Sequence, residues 1–230
     1  MSADPLDQLA ARILTLRSRL GRVVLVGLDG AVAVGKSTLA AQLAERLQGA
    51  GAPTAVIGAD GFLQPTAQIQ ARGLTKGFPE SYDRAAMAAF LDAVRAGEQP
   101  SAPRYDHATY DVGGEPAQAT AGAAVVIFEG VNTLGADLAP RYDLRVYLDA
   151  ALADVVTWYL RRFTATPFSP IRAEALAPWR PADGGDVQAW ARAVWDAVNG
   201  PNLAQHIASG RARADVVLRK AADHGLGLAD

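Results

Sequence analysis

Nine consecutive residues, Gly30, Ala31, Val32, Ala33, Val34, Gly35, Lys36, Ser37 and Thr38, constrain this chain more than any other feature. They satisfy the spacing G-x-x-x-x-G-K-[ST], in which backbone N–H groups wrap an anion, a lysine brings charge and a hydroxyl reaches a divalent cation. Two glycines are needed because a Cβ would obstruct either the tight turn or the close approach of a phosphate. The setting agrees with the motif. Arg22 to Leu28 is a short, continuously apolar run, the pattern of a strand buried on both faces, and Ser37 to Gln48 carries Leu39, Ala40, Leu43 and Leu47 at helical spacing. A loop that leaves a buried strand and opens a helix faces its amides and the helix dipole toward an anion. The competing reading is a glycine turn with an incidental lysine. Bound nucleotide is the stronger inference.

The rest of the chain repeats that alternation. Thr54 to Gly58 is a second apolar run, completing a βαβ unit, and Ala123 to Phe128, Leu144 to Leu148 and Asp215 to Leu218 supply three more buried-strand candidates. Helical periodicity marks Leu6 to Leu20, Arg84 to Gly97, Ala150 to Phe163 and Asp186 to Ala208. The expected fold is α/β, a mostly parallel five-stranded sheet flanked by helices on both faces. Asp60 to Asp83 reads as a long loop with a short helix at Thr66 to Arg72, and Ser101 to Thr120 as a hairpin or irregular excursion. Thr164 to Gly185, rich in Pro and Gly, reads as a substrate-covering flap within a single domain spanning residues 1–230. Val187, Trp190, Val194 and Val198 fall at helical spacing and are expected to pack in the core.

Composition removes other classes. A chain that is 50% hydrophobic and 20% charged is neither disordered nor fibrous, and a net charge of −2 gives no field for nucleic acid. Cys 0 excludes thiolate chemistry, and His 3 leaves few imidazoles, so any metal should be held by oxygen. The segment MSADPLDQLAARILTLRSRL has neither a basic start nor about 18 unbroken apolar residues, so a cytoplasmic location without membrane contact is expected.

Phosphoryl transfer also needs a group that orients the acceptor and takes its proton, and a carboxylate at a strand end beside the phosphates suits both tasks. Two qualify. Asp60 follows the second strand and Glu129 follows Phe128; we assign Asp60 as base and Glu129 to a Mg2+ or water network, although the sequence alone allows the exchange. Otherwise Asp60 is a turn residue before Gly61 and Glu129 a solvated strand end. Arg161 and Arg162 sit on a helix beside the flap, where one could neutralise charge on the group in flight, unless both are ordinary surface arginines. His107 lies in an irregular segment that could wall an acceptor pocket; a solvent-facing histidine is the simpler alternative.

Seven segments, GAVAVGKST, DGFLQP, RGLTKGFPESYD, PRYDHATYDV, FEGVNTL, TWYLRRF and PNLAQHI, occur in this order between Gly30 and Ile207. Together they resemble the bacterial type I pantothenate kinases, in the wider group with uridine kinase and phosphoribulokinase. The resemblance, which runs over about Val23 to His224, implies a P-loop kinase fold and ATP-dependent, Mg2+-assisted phosphorylation of a primary hydroxyl, that of pantothenate, toward coenzyme A. It implies that Lys36 and Ser37 hold phosphates and metal, that Asp60 is the base and that Arg162, rather than Arg161, approaches the phosphates. Tyr105, His107, Tyr159 and Asn202 would surround the acceptor, His224 would lie by the adenine, and the related kinases suggest a homodimer. The chain departs from the family in its short N-terminal segment, in Thr164 to Gln188 and at Asp223, where an asparagine is expected.

Two other readings have defined signatures. A uridine, nucleoside or sugar kinase would use the same loop and base and differ only in the acceptor pocket. A nucleotide switch or mechanical ATPase would want an Asn-Lys-x-Asp or Leu-Ser-Gly-Gly-Gln motif, and neither is present.

Overall fold

The computed structural model describes residues 4–182 and 185–229. Eight strands form in chain order: β1 (Val24–Gly30), β2 (Thr54–Gly58), β3 (Ser101–Asp106), β4 (Asp111–Ala119), β5 (Val125–Glu129), β6 (Leu144–Ala150), β7 (Val216–Lys220) and β8 (Leu226–Leu228). Six make one sheet in the order β2-β5-β1-β6-β7-β8, parallel except for the β7–β8 pair. The expected five strands are all present. The sixth, β8, was missed because three residues are too few for periodicity to register.

Both faces of the sheet are covered. Val24, Val26 and Leu28 of β1 pack with helices α1 (Pro5–Leu20) and α2 (Lys36–Gly49), whereas Leu25 joins Phe128, Met87 and Leu91 beneath α4 (Arg84–Arg95). This two-sided burial is why the strands read as unbroken apolar runs. The short α3 (Thr66–Ala71) forms within the stretch Thr66 to Arg72 expected to hold a short helix. Asp4 and Asp83 start α1 and α4 by accepting from the Leu6 and Ala86 amides, and Gly21 ends α1 at φ +64°. Among the described residues, no helix is long and apolar enough to cross a membrane.

Two C-terminal regions differ from expectation. The helix expected over Asp186 to Ala208 is regular in α7 (Val187–Val194) and in one short turn at Gly200–Asn202, and widens at Trp195–Asn199 and Leu203–Ile207. Pro201 lies between the widened turns, and its missing N–H cannot continue an i→i−4 ladder. Trp190, Val194 and Val198 are buried as expected, but Val187, at the first turn, is exposed. The expected flap, over its described part, is packed. Following α5 (Leu152–Ala165), it holds α6 (Pro170–Leu176), and Arg172 is buried over the Phe163 and Phe168 rings, donating to the Phe163, Thr166 and Pro167 carbonyls. Phe168 in turn stacks on Trp190 at 4.9 Å. Asp183 and Gly184, in the same stretch, lie outside the described residues.

The Ser101 to Thr120 excursion is a hairpin of its own, β3 against β4, hung beside the edge strand β2. Gln118 clasps it there, accepting from the Gly58 amide at 2.7 Å and donating to the Gly58 and Pro103 carbonyls. Gly61 makes the second attachment: a Cβ there would lie 2.0 Å from the Pro103 carbonyl oxygen, a backbone atom that cannot step aside. Gly61→Ala should therefore destabilise the protein by about 1–3 kcal/mol and displace the hairpin, read as a lower urea midpoint together with lost activity.

Candidate active site

The carboxyl edge of the parallel sheet gathers the site, as open α/β sheets do. β1 ends at Gly30, the chain turns through residues 31–34, and α2 begins at Lys36 behind Gly35, whose φ of +104° lies in the left-handed region that favours glycine. The Lys36 ammonium donates to the Gly30 and Ala31 carbonyls at 3.0 and 2.9 Å, and burial pulls its pKa down against the opposing pull of Glu129, Asp29 and Asp60. Ser37 and Thr38 follow in the exposed first turn of α2. The Ser37 hydroxyl donates to Glu129 Oε1 at 2.7 Å. Glu129 closes β5 in register with Leu28 and Gly58, and burial raises its pKa. Asp60 sits two residues beyond the end of β2, in a tight turn over Ala59–Phe62. Sheet register therefore brings both carboxylates beside the loop.

One cavity is lined by Val32, Ala33, Lys36, Ser37, Asp60, Glu129 and Arg162, and by Tyr105, His107 and Asn202. The side chains expected to meet metal or acceptor, Tyr159 excepted, thus line a common space with Lys36 and Arg162; of the other loop residues expected to meet phosphate, Ala31, Val34 and Thr38 are not in the lining. Arg161, the other lid candidate, is not among the lining residues. Tyr159 lines an adjoining cavity with Phe163, Arg172, Trp179 and Val198, and packs against Trp195 with ring centroids 5.3 Å apart. The two cavities share Val32, Lys76, His107, Tyr110, Arg162 and Asn199. Burial, then Arg162, lowers the His107 pKa. Asn202 is buried and donates to the Gly77 carbonyl at 2.8 Å, next to Asn132, which donates to the same oxygen at 2.9 Å. His224 stands outside this cavity, its ring tilted by 33° against Trp158 with centroids 5.1 Å apart; Lys220 lies over the same indole and donates to the Val34 carbonyl at 2.9 Å.

Four residues at the site escaped sequence reasoning. Lys76 lies over the Tyr110 and Tyr105 rings and donates to the Thr66 hydroxyl and the Tyr110 carbonyl, with burial lowering its pKa to about 8. It and Tyr110 belong to segments without periodicity; the only signal was a lone lysine in a Gly- and Pro-rich loop. Tyr82 donates to Asp60 Oδ1 at 2.9 Å. Asp29 hides in an apolar strand, accepting from the Gly30 and Leu134 amides at 2.7 and 2.8 Å, and so joins the start of the phosphate loop to the loop after Glu129.

Among the described residues there is no cluster of three His, Cys, Asp or Glu that could hold a metal. The adjacent hydroxyl and carboxylate of Ser37 and Glu129 are nevertheless hard oxygen donors at the foot of the loop. This set fits Mg2+, which takes few protein ligands and fills its shell from phosphates and water.

A model of the phosphoribulokinase/uridine kinase family matches residues 25–166. A pantothenate kinase from a Nocardioides species is 38% identical over 222 residues, covering 87% of this chain and 67% of its own. Among solved structures, a putative fructose transport system kinase from a Silicibacter species is 28% identical, with a TM-score of 0.63 and coverage of 85% of this chain and 95% of its own. The D-glycerate 3-kinase of Cryptococcus neoformans shares the fold, with a TM-score of 0.72 at 14% identity over 99% of this chain and 100% of its own.

Asp29 gives a linkage test. Burial raises its pKa from 3.8 to about 6, so the folded state keeps a proton that the unfolded state releases earlier. Through this group, stability must fall as pH rises from about 4 to 6 and level off above. Compared with Asp29→Asn in urea unfolding, the wild type should lose roughly 1–3 kcal/mol of relative stability across that window. A flat difference would place the proton elsewhere.

Proposed function

The chain belongs to the phosphoribulokinase/uridine kinase family, and from that premise we propose that it transfers the γ-phosphate of ATP to the primary hydroxyl of pantothenate. The observation that carries the reading is one cavity holding Lys36 and Asp60 together with Tyr105, His107 and Asn202, in a chain 38% identical to a pantothenate kinase.

In this reading ATP lays its phosphates along residues 30–38, where main-chain amides and the start of α2 hold negative charge. Asp60 accepts the hydroxyl proton as the acceptor oxygen bonds to the γ-phosphorus and the bond to ADP breaks. Lys36 and Arg162 face the charge that builds on the equatorial oxygens, Lys36 from a buried position that strengthens its effect and Arg162 from the exposed rim of the cavity. Ser37 and Glu129 would hold Mg2+, which when bound neutralises phosphate charge. Tyr105, His107 and Asn202 orient the acceptor, with Tyr159 at its far end, and Lys76, Arg162 and Arg172 make that space suited to an acid. His224, with Trp158, offers a flat surface for the base of the nucleotide across the phosphate loop.

A sugar or nucleoside acceptor is the second reading. What favours it is the likeness to the Silicibacter kinase, 28% identical over 85% of this chain with a TM-score of 0.63. Coupled ADP release with MgATP and a panel of pantothenate, uridine, cytidine, fructose and ribulose phosphate separates the two. Pantothenate should give the highest kcat/KM; fructose or a nucleoside in that place would install the second reading. Lys36→Ala should lower turnover by roughly 100-fold or more while circular dichroism stays native, and near-normal turnover would remove the phosphate-loop role. His107→Ala should raise the acceptor's KM several-fold, on the order of tenfold, and leave that of ATP in place; equal effects on both would argue against an acceptor contact.

A further inference from the structure

A carboxylate that takes a proton must present one particular oxygen along one particular line, and nothing in the tight turn at Asp60 fixes its side-chain rotation. Tyr82 does. It is 3% exposed, and its hydroxyl donates to Asp60 Oδ1 at 2.9 Å inside the cavity that both residues line. Its backbone is tied to the same turn: Leu63 and Tyr82 form an antiparallel bridge, the Gln64 amide donates to the Ser81 carbonyl at 2.9 Å and the Asp83 amide to the Phe62 carbonyl at 2.8 Å. Asp60 and Tyr82 are thus held as one rigid pair.

We propose that Tyr82 is a positioning residue for phosphoryl transfer, holding Asp60 Oδ1 so that Oδ2 is the oxygen presented to the acceptor hydroxyl. The proposal rests on the reading of Asp60 as base. Burial and the neighbouring carboxylate push the Tyr82 phenol well above its ordinary pKa, so it stays a donor throughout the working range. The charged and titratable groups facing this pair are Lys36, Asp29 and Glu129 from the sheet edge, Lys76, Arg104, Tyr105, His107 and Tyr110 from the neighbouring loops and hairpin, Arg162 from α5, and Arg84 beside Tyr82. Of these Lys36 and Lys76 are the cations that attract Asp60. Each is held on backbone carbonyls, Lys36 on Gly30 and Ala31 and Lys76 on Tyr110. Without the phenol, the carboxylate would be free to rotate toward either ammonium. A hydrogen bond donated to the ionised form also favours that form.

Tyr82→Phe removes one oxygen from a buried ring and is the direct test, with Asp60→Asn alongside it. The Phe variant should lose roughly 10- to 100-fold in kcat, keep the KM of ATP, and move the acidic limb of its pH–kcat profile to higher pH. Lower thermal stability with unchanged kcat and an unmoved limb would mean that the phenol only packs, and would overturn the proposal. If the Phe variant does not fold, 3,5-difluorotyrosine at position 82 keeps the shape and donates more strongly; it should move the limb to lower pH, and an unmoved limb there has the same negative meaning. An active Asp60→Asn enzyme would instead sink the base reading itself, so the two failures are told apart.

Discussion

Parallel pairing in register across β2, β5 and β1 is the constraint on which the site depends. Gly58, Glu129 and Leu28 sit side by side, so the chain leaves three adjacent strands at the same height and delivers the Asp60 turn, the Glu129 carboxylate and the phosphate loop to one edge. A slip of one residue in any of these strands would turn its side chains to the other face. Such a slip is resisted from both sides, because Val24, Val26 and Leu28 are sealed under α1 and α2 while Leu25 and Phe128 are sealed under α4. The apolar packing that stabilises the domain is therefore also what sets the distance between carboxylate and lysine.

The electrostatics follow from that placement. Lys36 is a buried cation surrounded by three carboxylates, Asp29, Asp60 and Glu129, and by the carbonyls that begin the loop. The acceptor side has the opposite balance. Lys76 is satisfied by a hydroxyl, a carbonyl and two tyrosine rings, and Arg172 by three carbonyls and two phenylalanine rings. Among the described residues neither is in an ion pair, although Asp111 and Asp60 attract Lys76, and a largely buried cation without a salt-bridge partner favours an anionic guest. An acid such as pantothenate answers that imbalance better than a neutral sugar does.

Much of this was legible in the sequence because it rests on short-range rules. The phosphate loop, its strand and its helix follow from glycine spacing and apolar runs, and the helices that begin at Arg84 and Val187 follow from periodicity. Glu129 and Asp60 could be found because strand ends are visible as the end of an apolar run. Lys76, Tyr82 and Tyr110 could not, because what matters about them is contact across 22 to 44 residues of chain, which no local pattern encodes. Asp29 was hidden by its neighbours: an acid in a buried strand reads as an exception to the pattern until the amides of Gly30 and Leu134 are seen to receive it. The irregular turns after α7 had one visible cause, Pro201, but the way the chain widens around it depends on the packing of Trp195 and Val198.

The β3–β4 hairpin is fastened to the rest of the molecule by a glutamine pincer and a glycine contact, yet it shares no strand with the main sheet. Tyr105, His107 and the neighbouring Tyr110 ride on it or on its turn, while the phosphate loop rides on the sheet. If Tyr105 and His107 meet the acceptor as proposed, changes confined to this appendage would alter the choice of alcohol and leave the nucleotide-handling loop on the sheet untouched.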